Sequence, residues 1–130
     1  MSCVLKITSA HGSALLTGDI EIPSERTLLK SQGEQLRADV LVAPHHGSRS
    51  SSSAEFLTAV SPRTAIFSIG YRNRFHHPNE AVWRRYEESG AQLLRTDRDG
   101  AVTLDLAVPP RQTFERTARR RYWQSVLTND

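Results

Sequence analysis

Asp39-Val40-Leu41-Val42-Ala43-Pro44-His45-His46-Gly47-Ser48 is an apolar run that stops at a proline and opens into two histidines and a glycine. Four consecutive apolar residues, two of them β-branched, bounded by turn formers predict a short, buried-type strand. The segments on either side repeat the pattern. Upstream, residues 3–8 and 14–17 predict a hairpin turning at Ala10-His11-Gly12-Ser13. Residues 24–36 then predict a helix, with Ser24 as its cap just after Pro23. Downstream, residues 52–60 predict a helix that ends at Ser61-Pro62, since a residue before proline is pushed out of helical geometry. Residues 64–69 predict a strand. Residues 79–89 predict a helix capped by Asn79, with Ala81, Val82, Arg85 and Tyr86 on one face and Gly90 in the stop position. Residues 92–95 and 101–106 predict strands joined by a tight turn at Asp97-Arg98-Asp99-Gly100. Strands alternating with helices give a layered α/β domain, in which sites gather in loops at the carboxyl ends of strands.

A chain of 130 residues is one domain or part of one. No internal repeat is visible, and Ser50-Ser51-Ser52-Ser53 is too short to be a linker. No apolar run reaches the roughly 18 residues of a membrane span, and no secretory leader is expected before the first strand. The lone cysteine, Cys3, excludes an internal disulfide and is expected to act as a small core hydrophobe. The net charge of +3 lies entirely in residues 111–130, where five arginines face Glu115 and Asp130. The division is therefore a domain over 1–108 and a basic tail over 109–130, the latter helical from about 113 to 126, with Tyr122 and Trp123 packing that helix. Such a tail suits phosphate or an anionic surface, although a solvated extension has the same composition.

Three strand ends carry chemistry. Leu15-Leu16-Thr17-Gly18-Asp19 places a carboxylate after a buried strand, where a plain turn aspartate is the competing reading. Ala43-Pro44-His45-His46-Gly47-Ser48 aims two imidazoles from a pinned loop, and imidazole is a common ligand of zinc and similar metals. If that loop is extended, its neighbouring side chains point apart, one toward a metal and the other toward substrate. Tyr71-Arg72-Asn73-Arg74-Phe75-His76-His77-Pro78 adds arginines suited to phosphate and aromatics suited to stacking on bases. His11 reads as an exposed loop residue. Asp and His on successive strand ends suggest a divalent metal site, and two metals would suit phosphodiester hydrolysis. Asp19 and His46 alone fall short of the roughly three protein ligands of a catalytic zinc.

Taken in order, Leu-Leu-Thr-Gly-Asp-Ile-Glu (15–21), Ala-Pro-His-His-Gly-Ser (43–48), Ala-Ile-Phe-Ser-Ile-Gly-Tyr-Arg-Asn-Arg-Phe-His-His-Pro (65–78) and Leu-Leu-Arg-Thr-Asp-Arg-Asp-Gly-Ala-Val (93–102) resemble the distal part of the metallo-β-lactamase-like domain of the ComEC DNA-uptake proteins. The resemblance covers about residues 2–106. It implies the C-terminal half of an αββα sandwich, a mixed sheet with flanking helices. It implies Asp19 and His46 as metal ligands, His45 and His77 as catalytic groups at the phosphate or leaving group, and Ser48, Arg72 and Arg74 as phosphate or DNA contacts, with Ser48 able to orient the adjacent imidazole. The implied cofactor is zinc or manganese, in a two-metal site of the complete domain. The implied partner is DNA, and the implied parent is an inner-membrane protein that hydrolyses incoming DNA.

Two features depart from the family pattern. The early His-x-His-x-Asp-His motif and a later single His are absent, so the chain would be a soluble fragment, weak or inactive alone. Its missing half and membrane-spanning region would be partners, and the edge or face left bare would favour self-association. His76 stands where the family has glycine. Alternatives are a catalytically dead DNA-binding module, an interaction half-domain, or an esterase of small phosphodiesters.

Overall fold

The computed structural model describes residues 2–106 and 111–119. Five strands form a mixed sheet in the order β1-β2-β3-β4-β5: β1 (Leu5–Thr8), β2 (Ser13–Leu16), β3 (Val40–Val42), β4 (Thr64–Phe67) and β5 (Gln92–Arg95). The expected hairpin is present, with β1 antiparallel to β2 and Leu5 opposite Leu16. The other neighbours are parallel, and each connection between them carries a helix. These are α1 (Ile22–Gln32), α2 (Ala54–Val60) and α3 (Glu80–Glu88). The mixed α/β architecture with flanking helices is as the sequence predicted.

Side-chain alternation sorts the two faces. Leu15, Leu41, Ala65 and Phe67 are buried in one core with Phe56, Leu57 and Val60 of α2 and Val82 and Tyr86 of α3. The opposite face carries the row Leu5, Leu16, Val42, Ile66. Leu5 and Leu16 are 55% and 37% exposed there, and Ile7 is 48% exposed. Edge strand β1 is exposed at every position. Val42 and Ile66 are half-buried.

Two helices carry side-chain caps, of which Asn79 was expected and Ser53 was not. Ser53 Oγ accepts from Phe56 N–H at the start of α2, and Asn79 Oδ1 accepts from Ala81 N–H at the start of α3. Gly90 follows α3 with φ of 77°, the left-handed value that glycine adopts freely.

Several expectations are corrected. Helix α1 begins at Ile22 after Glu21, with Pro23 in its first turn, so Ser24 is inside the helix and caps nothing. The helix also breaks at Gly33, where φ is 47°, into a single 3-10 turn, Gly33–Leu36. Cys3 is exposed because it precedes the edge strand. The segments at 92–95 and 101–106 do not form a hairpin. β5 pairs with β4, while β6 (Val102–Asp105) pairs antiparallel with β7 (Arg111–Phe114) in a separate two-stranded sheet. The acidic turn between β5 and β6 is the one-turn helix α4 (Thr96–Asp99), in which Asp97 takes both Arg95 guanidinium hydrogen bonds and Asp99 accepts from Arg95 N–H. The start of the basic tail is therefore strand, followed by the one-turn helix α5 (Glu115–Ala118). The rest of the predicted tail helix, with Tyr122 and Trp123, lies outside the described residues. Among the described residues no helix is long and apolar enough to cross a membrane.

Candidate functional site

The site sits where β2, β3 and β4 end side by side. Strand β2 leads into Thr17-Gly18-Asp19. Thr17 Oγ1 donates to the Val42 carbonyl at 2.7 Å, and Gly18 accepts from His45 N–H at 2.9 Å. These bonds tie the carboxylate-bearing loop to the histidine loop. The histidine loop is not extended. His45 and His46 both adopt left-handed backbone, with φ of 47° and 57°, so the chain folds back in a tight turn. Such conformations are costly for residues with a Cβ and persist where the surroundings hold them. Gly47 completes the turn at φ of 80°, and a Cβ there would come within 2.7 Å of Pro78 Cβ and 2.9 Å of the Phe67 ring. Glycine is thus required by both conformation and space.

The two imidazoles face different carboxylates. His46 Nδ1 donates to the Ser68 carbonyl at 2.7 Å, because a carbonyl can only accept. With that proton placed, a neutral His46 presents the lone pair of Nε2, and Nε2 lies 3.3 Å from Asp19 Oδ1. Two acceptor atoms at this distance need a cation between them or a proton on Nε2. His45 Nδ1 is 3.2 Å from Glu21 Oε1, shielded from solvent and not aligned for a hydrogen bond. His77 joins them, its ring centroid 6.2 Å from that of His45. Burial, and then the charges of His45 and His46, lower the pKa of His77, which favours a neutral ring.

The 65–78 segment brings further expected residues to this end of the sheet. Arg74 and His77 line a cleft with His46 and Phe75. Arg72, at φ of 56°, turns outward and lies over the Tyr71 ring. His76, the departure from the family pattern, has φ of 53°. A left-handed residue at that position explains why glycine suits it. Ser48 Oγ pairs with Ser50 Oγ at 3.2 Å, away from the role of orienting the adjacent imidazole, whose Nδ1 is instead held by the Ser68 carbonyl. His11 is exposed, as expected.

Two residues unremarked in the sequence support the turn. Glu21 is one. The other is Glu25, wholly buried, which accepts from Ser52 N–H at 2.5 Å and Ser53 N–H at 2.9 Å. Ser52 Oγ bonds Tyr86 Oη, the Ser52 carbonyl accepts from Arg85, and Ser51 Oγ donates to the Pro44 carbonyl at 2.8 Å. Glu25 thereby holds the serine run, and the serine run holds the base of the histidine turn. Their only sequence signal was the two acids at 21 and 25, four residues apart, flanking the start of α1.

Competence protein ComA of Neisseria gonorrhoeae is 42% identical to this chain over 123 residues, which are 95% of the chain and 18% of that protein. ComE operon protein 3 of Bacillus subtilis is 38% identical over 78% of the chain and 13% of its own length. Recombination protein 2 of Haemophilus influenzae is 34% identical over 80% of the chain and 13% of its own length. This chain is homologous to a segment of the competence proteins. It spans less than a fifth of the length of these relatives. No protein-family model matches it, and no solved structure matches it significantly. In this competence-type segment, among the described residues, no group of three or more His, Cys, Asp or Glu is placed to hold a metal. Asp19 and His46 supply two donors, fewer than the three of a catalytic zinc, so on their own they could hold such a metal only weakly and in an incomplete site.

Proposed function

We propose that this segment is part of a ComEC-like DNA-uptake protein of the bacterial inner membrane, and that its strand-end cluster is one side of a phosphodiester-hydrolysing site in a metallo-β-lactamase-type αββα sandwich. The observation that carries this reading is the facing pair, His46 Nε2 and Asp19 Oδ1 at 3.3 Å. A tetrahedral zinc with bonds of about 2.0–2.1 Å holds its ligand atoms about 3.3 Å apart. The Ser68 carbonyl fixes the His46 tautomer in the way second partners of metal-bound histidines do. The remaining ligands of a divalent metal, zinc or manganese, are assigned to parts of the parent protein outside this chain. The half-exposed apolar sheet face supports the same reading, since a sandwich needs a second layer there.

In this arrangement Asp19 and His46 are ligands of a two-metal centre in the complete protein. His77, with its lowered pKa, is the neutral imidazole positioned to exchange a proton at the phosphate or leaving group, with His45 beside it. Arg74, and Arg72 farther out, balance the charge of a DNA backbone. The isolated chain is weak or inactive, because its donor set is incomplete.

Calorimetric titration of the chain with zinc and with manganese tests this, beside Asp19→Asn and His46→Ala. Binding that both substitutions abolish supports the site. No binding by the unaltered chain, or binding that both variants keep, overturns it. The incomplete donor set also favours a second reading, a DNA-binding or interaction half-domain without catalysis. DNA affinity that falls steeply with salt and ignores metal would favour that reading.

A further inference from the structure

An apolar cleft of about 290 Å³ opens beside the imidazoles, between Ser68-Ile69-Gly70 at the end of β4 and the Asn73–His77 loop. It is at the small end of ligand pockets, which run about 300–1,000 Å³, and suits a single ring system. Phe75 forms one wall. Its ring stacks on His77 at 5.9 Å with 18° between the planes, yet it is 79% exposed. An exposed phenylalanine beside a polar cluster forgoes burial, and here the loop holds it there. Asn73 Oδ1 accepts from Phe75 N–H at 2.9 Å, and Asn73 Nδ2 donates to the His77 carbonyl at 2.6 Å. Arg74 lines the same cleft. Just outside it, Tyr71 is 62% exposed, with the guanidinium groups of Arg72 and Arg116 at 5.4 and 5.5 Å from its ring. Flat aromatic faces interleaved with arginines are what single-stranded nucleic acid requires, since bases stack on rings and phosphates meet cations. Duplex bases are already stacked and paired, so their faces are not free to enter.

We propose that this cleft is a base subsite: an unpaired nucleobase stacks on Phe75, which places its adjoining phosphate against Arg74 and the imidazoles. The assignment rests on the phosphodiester reading of the neighbouring cluster and adds to it a contact with the base. Phe75 is a binding residue here, and the cleft favours single strands over duplex.

The test is fluorescence anisotropy of the full 130-residue chain with a labelled single-stranded oligonucleotide, the same strand made abasic throughout, and the duplex. Wild type, Phe75→Ala, Phe75→Trp and Arg74→Gln are compared at one salt concentration. The normal strand is expected to bind about tenfold tighter than the abasic strand, within the range of one base–aromatic stack. Phe75→Ala should lower normal-strand affinity to the abasic level and leave the abasic strand unaffected, while Phe75→Trp restores the preference. Arg74→Gln should weaken both strands alike. Equal affinity for normal and abasic strands, or for single strand and duplex, overturns the base subsite and leaves the phosphate site standing. No binding of any oligonucleotide overturns both. Because Phe75 is exposed, its variants should keep the wild-type circular dichroism spectrum.

Discussion

His46 Nε2 and Asp19 Oδ1 face each other at 3.3 Å across the ends of two parallel strands, β3 and β2. The Ser68 carbonyl sets the imidazole and the Gly18–His45 backbone bond sets the spacing. Asparagine at position 19 keeps the shape and removes the charge. Asp19→Asn is expected to weaken zinc binding by at least tenfold, within the range for altered metal environments, and to leave the thermal midpoint nearly unchanged, because both groups are solvent-facing. Parallel calorimetry and thermal melts check this; a large loss of stability would show that the pair serves the fold.

Gly47→Ala should destabilise the chain by about 1–3 kcal/mol, the usual cost of forcing an added methyl group into a packed site. The new Cβ would press on Pro78 and Phe67, and φ of 80° adds strain. Urea midpoints measure the effect. A variant as stable as wild type would mean that the turn relaxes easily.

Glu25→Ala should cost about 3 kcal/mol, since it strands two buried N–H donors and removes charge-assisted bonds. Glu25→Gln, which keeps one acceptor, should cost less. Urea denaturation compares them, and nuclear magnetic resonance spectra should show the His45 and His46 signals shifted in both. Unmoved histidine signals in Glu25→Ala would sever the proposed link from Glu25 to the turn.

For His77, burial and then the neighbouring His45 and His46 hold the pKa below 6.5. The folded state therefore binds this proton less readily than the unfolded state. As pH falls below 6.5 the unfolded chain gains the proton first, so stability declines until the folded ring also titrates, and it is recovered as pH rises. Titration of the His77 ring signal should give a midpoint below 6.5, and His77→Gln should flatten this part of the stability profile. A midpoint at or above 6.5 refutes the expectation.

Strand β1 is an exposed edge, with Leu5 and Ile7 facing outward beside Leu16. The chain is expected to self-associate through it as concentration rises, and Ile7→Lys should shift it to monomer, as charges on edge strands do in natural sheets. Sedimentation velocity over a concentration series decides; a wild-type chain that stays monomeric throughout counts against the idea.

Local patterns made much of this legible. The apolar runs at 39–43 and 64–69, and the caps Ser61-Pro62 and Asn79, mark their elements through short-range sterics and hydrogen bonding, and they match the structure. Apart from the start of α1 and its break at Gly33, what failed depended on which strands pair. Nothing near Asp97–Gly100 tells that β5 joins β4, a parallel partner far away in sequence, or that β6 turns forward to pair antiparallel with β7 instead of back to β5. The site residues Asp19, His45, His46 and His77 are visible as types after strands. Their orientation was hidden, since it follows from two left-handed histidines, a buried Glu25 and a carbonyl of Ser68.

The ring of Tyr71 is met by two cations, Arg72 of its own loop and Arg116 from the one-turn helix after β7. The loop beside the imidazoles and the beginning of the basic tail are thus neighbours in space. Shortening the chain after residue 106 would trim more than charge: it would take away one of the two cations over Tyr71. Swapping C-terminal segments between relatives would carry along a wall of the aromatic loop, so boundaries drawn by charge alone would cut through a shared surface.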